Sequence, residues 1–390
     1  MLCFPKYAMD CLKTIINNGY EAYFVGGCVR DGLLGRACFD IDITTNALPT
    51  DIEKIFTNTI QTGIKHGTIT VIYNGKSIEI TTYRKEDGYM DSRHPDKVLF
   101  VSSIADDLAR RDFTINALAC SAYGNIVDLF DGICDLKNQT IKAVGDPDKR
   151  FDEDALRIIR AYRFASVLDF KIEEKTAKAA LKAADSITKI SGERVLGELI
   201  KTASGLRPSS VCVLLSKGAL FDFGLDSPLF SNEVFDRISK LDIDNFSKFS
   251  LFVVLCKHNV NKLKLSLKIS NAIMDKIVAL NSLAASSIPS NKTELKKLLY
   301  RYGESHIRLY LHYLSITQNA FDNKLFSMLE YILNNNEVYK ISHLNIDGND
   351  IKNLGIEGQN IGKILEETLY LVMDGTLENS KEILIKNIKN

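Results

Sequence analysis

Apolar and polar residues alternate through "FDIDITT", residues 39–45. Phe39, Ile41 and Ile43 fall on one side and Asp40, Asp42 and Thr44 on the other, the period of a β-strand with one buried face. The same period predicts a strand in "EAYFVGG", running into Gly26-Gly27, and two strands in "TITVIYNGKSIEITTYR", joined by the hairpin dipeptide Asn74-Gly75. "ALACSAYGNIVDLFDG" predicts another hairpin around Tyr123-Gly124-Asn125. Helices are predicted from Pro5 to Asn17 and from Pro49 to Phe56, with proline near each start. From Phe151 onward the period becomes helical, as in "FDEDALRIIRAYRFASVL", "EEKTAKAALKAADSI" and "SGERVLGELIKTA", and no convincing strand is predicted after about residue 150. The fold class expected is an α/β head with a mixed, largely antiparallel sheet, followed by an all-α body and tail. Gly145-Asp146-Pro147 is the natural joint.

The pattern places two carboxylates, Asp40 and Asp42, side by side on one strand face. Their repulsion needs a positive partner. Glu79, on the polar face of "SIEITTYR", joins them if its strand lies nearby. Magnesium takes one or two carboxylates and completes its shell with phosphate and water. Three acids on neighbouring strands suit a pair of metal ions about 3.5–4 Å apart that clamp the two oxygens of a phosphoryl displacement. A D-x-D on a solvated surface strand is the plainer alternative.

Two nearby segments favour the phosphate reading. In "FVGGCVRDGLLG", Gly26 and Gly27 let backbone approach a ligand at the start of a helix, and Arg30 adds a full charge one turn in. The spacing is not G-x-G-x-x-G, which counts against a dinucleotide fold. In "RRDFTINAL", Arg111 is placed to meet phosphate and Asp112 a ribose hydroxyl, unless the run is only a solvated helix end.

A helix predicted to begin near Asp152 carries Asp154, Arg157, Arg160 and Arg163 at intervals of three, with Ala155, Ile159 and Tyr162 on the core side. Carboxylate only accepts hydrogen bonds and guanidinium only donates them. Asp154 beside Arg157 therefore matches a base edge with an amine next to a bare ring nitrogen, as cytosine and adenine have. Uracil and guanine would leave donors and acceptors unpaired, at about 1–3 kcal/mol each. Arg160 and Arg163 remain for phosphates, although ordinary ion pairing along a helix would use the same spacing.

Composition adds limits. The chain has 390 residues, 45% hydrophobic and 25% charged, normal for a globular protein of two or three domains. No apolar run is long enough for a bilayer and the start lacks a secretory pattern, so a cytoplasmic location and no membrane partner are expected. Eight scattered cysteines, without C-x-x-C, read as reduced thiols rather than a disulfide or zinc framework. Basic and acidic totals are both 49, but Lys240 to Arg301 holds eleven basic residues against four acidic, a local +7 that fits a polyanion or a solvated helix face equally well.

In order and spacing, "GGCVRDGLLG", "DIDITT", "TGIKHGTITV", "RRDFTINAL", "DLFDG", "EDALRIIRAYRF" and "SGERVLGEL" resemble the bacterial tRNA nucleotidyltransferases, the CCA-adding enzymes of the class that includes bacterial poly(A) polymerases. The match is dense over residues 20–205, and the tail from Leu354 also resembles the family's tRNA-binding end. The resemblance implies a template-independent polymerase that adds C, C and A to the 3′ acceptor end of tRNA from CTP and ATP with Mg²⁺. It implies metal at Asp40 and Asp42, with Glu79 in a third acidic position. It implies phosphate contacts at Gly27, Arg30, Arg111, Arg160 and Arg163, and base reading by Asp154 and Arg157. The expected segments are a nucleotidyltransferase head at 1–145, a nucleotide-recognition neck at 146–205, a helical body at 206–340 and a tRNA-binding tail at 341–390. Residues 84–100 correspond to an element used in switching from C to A, which relatives adding only CC have shortened. The rivals are a poly(A) polymerase or A-adding enzyme, and a non-catalytic RNA-binding protein. A homodimer is compatible with the sequence.

Overall fold

The computed structural model describes residues 2, 4–38, 40–64, 67–87, 97–318 and 321–389. The chain forms two compact units, one of residues 1–239 with 256–269 and the other of 240–255 with 270–390.

The first unit opens with helix α1 (Lys6–Asn17), strand β1 (Ala22–Val25) and helix α2 (Gly27–Leu33). Then come β2 (Asp42–Thr45), α3 (Pro49–Ile55), β3 (Thr59–Gly63), β4 (Thr68–Tyr73) and β5 (Lys76–Thr82). A separate antiparallel pair, β6 (Arg84–Asp87) and β7 (Lys97–Phe100), precedes α4 (Ile104–Ala109), β8 (Leu118–Cys120) and β9 (Ile126–Asp128). The central sheet has seven strands in the order β3-β4-β5-β2-β1-β8-β9. Only its β2–β5 pairing is parallel, so the sheet is mixed and largely antiparallel, as its hairpins require. The β4–β5 hairpin turns on Asn74 and Gly75, with φ of 50° and 73°, the left-handed pair that a tight two-residue hairpin needs.

Alternation sorts the sheet's two faces. Ile41, Ile43, Ile69, Ile78 and Ile80 join Leu12, Ile15, Phe24 and Ile52 in one core cluster, so helices α1 and α3 cover that side. Asp42, Glu79 and Thr81 stand on the opposite face and line a cleft. The strand starts later than the alternation predicts. Asp40 lies in a bend before β2 and is exposed, and Phe39 falls outside the described residues. So do Lys65 and His66 of the Gly63–Gly67 stretch, and residues 88–96 of the 84–100 element.

Downstream come α5 (Gly132–Lys137) and a two-residue strand β10 (Thr140–Ile141). The single helix expected from Asp152 is two helices, α6 (Pro147–Glu153) and α7 (Leu156–Leu168). Asp146 caps α6 by accepting the Asp148 N–H, and Pro147 opens it. At Asp154 the backbone is extended (φ −143°, ψ 105°), and the side chain accepts the Leu156 N–H at 3.0 Å. A short acidic side chain that can cap a new helix competes with continuing the old one. Beyond residue 150 three short strands also form among the described residues. β11 (Lys171–Ile172) pairs parallel with β10, and Leu225–Pro228 pairs antiparallel with Cys256–His258. Strands of two to four residues carry too little alternation to be seen in the sequence. Helices α8 (Glu174–Lys182) and α9 (Gly192–Ala203) follow, and α9 sends Arg194 to the cleft.

The second unit is helical. Its helices include Asn245–Val254, Asn271–Ala284, Lys292–Tyr302, Glu304–Thr317 and Lys324–Asn334. A tail cluster of Leu344, Ile346, Ile351, Leu365, Leu369, Met373 and Leu384 is drawn from Gln359–Met373, Lys381–Lys389 and the preceding turns. Among the described residues no helix is long and apolar enough to cross a membrane.

Candidate active site

Parallel pairing of β2 with β5 sets Asp42 directly opposite Glu79. Burial pushes the Asp42 carboxyl up to about 6; Arg111 opposes this, while Glu79 and Asp40 add to it. The strand pair therefore holds negative charge that the protein compensates incompletely. All the donors here are hard carboxylate oxygens, which suits a small divalent cation. Among the described residues no three His, Cys, Asp or Glu side chains converge as a closed metal centre. The donor set fits an ion held by one or two carboxylates, with substrate and water filling the rest of its shell.

Gly26 explains why the glycine pair precedes this strand. Its φ is +70°, and a Cβ there would stand 3.0 Å from Arg111 Nη1 and 3.8 Å from Asp42 Oδ2. Only glycine lets that backbone run beside both groups. Gly27 begins α2, which carries Arg30. Arg30 is buried. Its Nε and Nη2 donate to the two oxygens of Asp31, each at 2.9 Å, and its Nη1 donates to Asn116 Oδ1 at 2.7 Å.

The segment after α4 fixes the remaining charges. Asp107, fully buried, accepts from Arg110 Nε and Nη2 at 3.0 and 2.6 Å, from Arg111 Nη2 at 3.3 Å and from Thr44 Oγ1 of β2 at 3.2 Å. Burial alone would raise its pKa, but Arg110 and Arg111 outweigh that and hold the carboxyl below its ordinary value. Arg111 Nε is buried with no hydrogen-bond partner, a donor available to an anion. Asp112 takes the Phe113 N–H and Asn116 Nδ2 on one oxygen, and Arg160 Nε and Nη2 on the other. A carboxylate has about four acceptor positions, so a ribose hydroxyl would reach Asp112 only in place of one of these donors.

Helices α7 and α9 supply the other wall. Arg157 is buried and tied by Glu153, by the Arg150 carbonyl at 3.1 Å and by the Arg110 carbonyl at 2.9 Å. Those bonds use three of its five N–H donors. Asp154 accepts Arg194 Nη2 on its second oxygen at 2.9 Å. Arg160 also lies 3.7 Å from Glu198, and Arg163 Nε donates to Glu198 at 2.9 Å.

All the candidate site residues named from the sequence line this single cleft of about 630 Å³: Asp40, Asp42, Glu79, Gly26, Gly27, Arg30, Arg111 and Asp112 from residues 1–145, and Asp154, Arg157, Arg160 and Arg163 from the segment after them. Sequence reasoning missed the acids and amide that hold these arginines, namely Asp107, Asn116, Glu153 and Glu198, and also Arg194. Asp107 was detectable, since it stands three and four residues before Arg110 and Arg111 on a helical run. Arg194 reaches the cleft from α9 and Glu198 of the same helix pairs with two of its arginines, yet no local pattern connects α9 to α7.

The basic stretch from Lys240 to Arg301 is less positive than its count. Lys257, Lys262, Lys268, Lys276, Lys292 and Lys296 pair with acids, most of them from outside that stretch. The described cysteines carry free thiols.

Residues 22–142 match the poly A polymerase head domain, 169–227 the RNA and SrmB-binding site of polymerase A, and 244–388 the tRNA nucleotidyltransferase domain 2. The CCA-adding enzyme of Lactobacillus helveticus is 38% identical over 98% of this chain and 96% of its own length. That of Enterococcus faecalis is 35% identical over 98% and 95%. The crystal structure of the Bacillus stearothermophilus CCA-adding enzyme in complex with CTP is similar at a TM-score of 0.82, with 30% identity over 98% of this chain and 96% of that one. The Thermotoga maritima CCA-adding enzyme complexed with tRNA shares the fold at a TM-score of 0.73 and 22% identity, over 100% and 96% of the two chains.

Proposed function

Since this chain belongs to the CCA-adding enzymes, the tRNA nucleotidyltransferases, we propose that it adds C, C and A to the 3′ end of tRNA from CTP and ATP, in the cytoplasm. One observation carries the site reading: a pair of strand carboxylates, four arginines and the Asp154–Arg157 edge line a single cleft.

Arg30, Arg111, Arg160 and Arg163 hold the triphosphate, which approaches the backbone at Gly26 and Gly27. Arg111 exchanges part of its interaction with Asp42 for phosphate oxygens. Asp154 accepts the exocyclic amine of cytosine or adenine, and an N–H of Arg157 left over from its protein bonds donates to the adjacent ring nitrogen. Arg194 and the Leu156 N–H donate to Asp154 and orient it as an acceptor. Asp40 and Asp42 would hold Mg²⁺, with Glu79 supporting them, and the metal held there would ease ionisation of the primer hydroxyl and balance the triphosphate charge. The tRNA is gripped by the helical unit through phosphates, with the Gly355–Gly358 turn ahead of Gln359–Met373 as one contact.

The test uses tRNA ending before CCA, with Mg²⁺ and CTP alone, ATP alone, or both. Two additions with CTP and a third only when ATP is present support the proposal; a long adenosine tail assigns the chain to poly(A) synthesis instead.

A further inference from the structure

Three arginines of the cleft come from two helices yet share one aromatic neighbour. The guanidinium carbons of Arg163, Arg30 and Arg160 lie 3.6, 5.1 and 5.3 Å from the centroid of the Phe164 ring. All fall within the roughly 6 Å over which a cation is attracted to an aromatic face. Phe164 is buried, lines the cleft, and is set edge-on against Phe113 at 5.7 Å and 80°, which fixes the ring plane.

Three like charges around one point repel. Asp31, Asp112 and Glu198 offset this, but Arg163 shows the residual cost, its pKa brought down to about 10 by burial and by Arg160. A further carboxylate would relieve the repulsion and would also repel an incoming triphosphate. An aromatic face attracts the guanidiniums while adding no net charge, so their full positive charge stays available to phosphate.

We propose that Phe164 is the positioning residue of the phosphate-binding arginines: its ring quadrupole gathers Arg30, Arg160 and Arg163 and keeps their N–H donors facing the triphosphate. This rests on the reading of those arginines as phosphate ligands. The role assigned to the ring is indirect: it acts through the guanidiniums packed on it.

The test replaces Phe164 with phenylalanines carrying one, two, three and five ring fluorines, which keep the ring's shape while weakening and finally reversing its quadrupole. KM for CTP and for ATP should rise stepwise with fluorine number, reaching roughly tenfold. Inhibition by pyrophosphate should weaken in parallel, while KM for tRNA and the Tm hold steady. A ring that only fills space leaves all these values flat, and a flat series overturns the proposal. If the pentafluoro variant does not fold, the slope over the lighter members decides. Arg163→Ala, measured alongside, separates the two layers. If it raises the nucleotide KM while the fluorinated series is flat, only the ring's role fails. If it leaves that KM unchanged, the phosphate reading falls and this proposal with it.

Discussion

Asp42 and Glu79 face each other in register across the one parallel pairing of the seven-stranded sheet. Two acids held this way, one of them partly buried, favour protonation or a cation between them. The Asp42 carboxyl is raised to about 6, above its unfolded value near 3.9. Its contribution to stability is therefore fully present at low pH and is lost as pH rises through about 6. Without divalent cation, Asp42→Asn should be more stable than the parent at pH 7.5, by about 2 kcal/mol, and should lose that advantage below pH 4. Urea unfolding at the two pH values measures this.

Gly26→Ala tests the close approach beside that pair. The substitution must adopt a φ of +70° and presses its methyl toward Arg111 Nη1. We expect a stability loss of about 1 kcal/mol and a nucleotide KM raised about tenfold, with tRNA affinity unchanged. Steady-state kinetics with CTP and thermal melts check the two parts separately.

Glu198→Gln removes the carboxylate shared by Arg160 and Arg163. Breaking a buried ion pair from one side leaves charge uncompensated, at about 3 kcal/mol. The variant should melt lower than the parent. Added pyrophosphate should raise its Tm more than the parent's, because an anion then takes the vacated role.

Asp154→Ala deletes the acceptor for the base amine. Its kcat/KM with CTP and with ATP should fall about 10- to 100-fold, while that with UTP falls less, so discrimination narrows. Competition between labelled CTP and UTP reads the ratio directly.

Much of this site is legible in the sequence because strand alternation is a strong local signal. Ile41, Ile43, Ile78 and Ile80 declare the buried face, which leaves Asp42 and Glu79 on the other one. What alternation cannot supply is where a strand begins: Asp40 lies in a bend just outside β2, although the alternation runs on through it. The break between α6 and α7 was missed for a different reason. The helical period continues through it, and only the competition of Asp154's side chain for the Leu156 N–H ends one helix and starts the next. Contacts such as Arg194 with Asp154 and Glu198 with Arg163 join residues 35 to 40 positions apart, so they exist only once α9 has docked on α7. The pairing of the basic stretch is not legible from its own residues, since the acids that pair with Lys257, Lys262, Lys268, Lys292 and Lys296 lie outside it.

The most direct measurement is single-turnover incorporation of labelled CMP by Asp42→Ala, beside tRNA binding by the same variant. The strand acids are assigned to the chemistry of transfer and not to tRNA affinity, so incorporation should vanish while binding stays at the parent's level. Incorporation at anything near the parent's rate would contradict the assignment, and with it the mechanism built on this cleft.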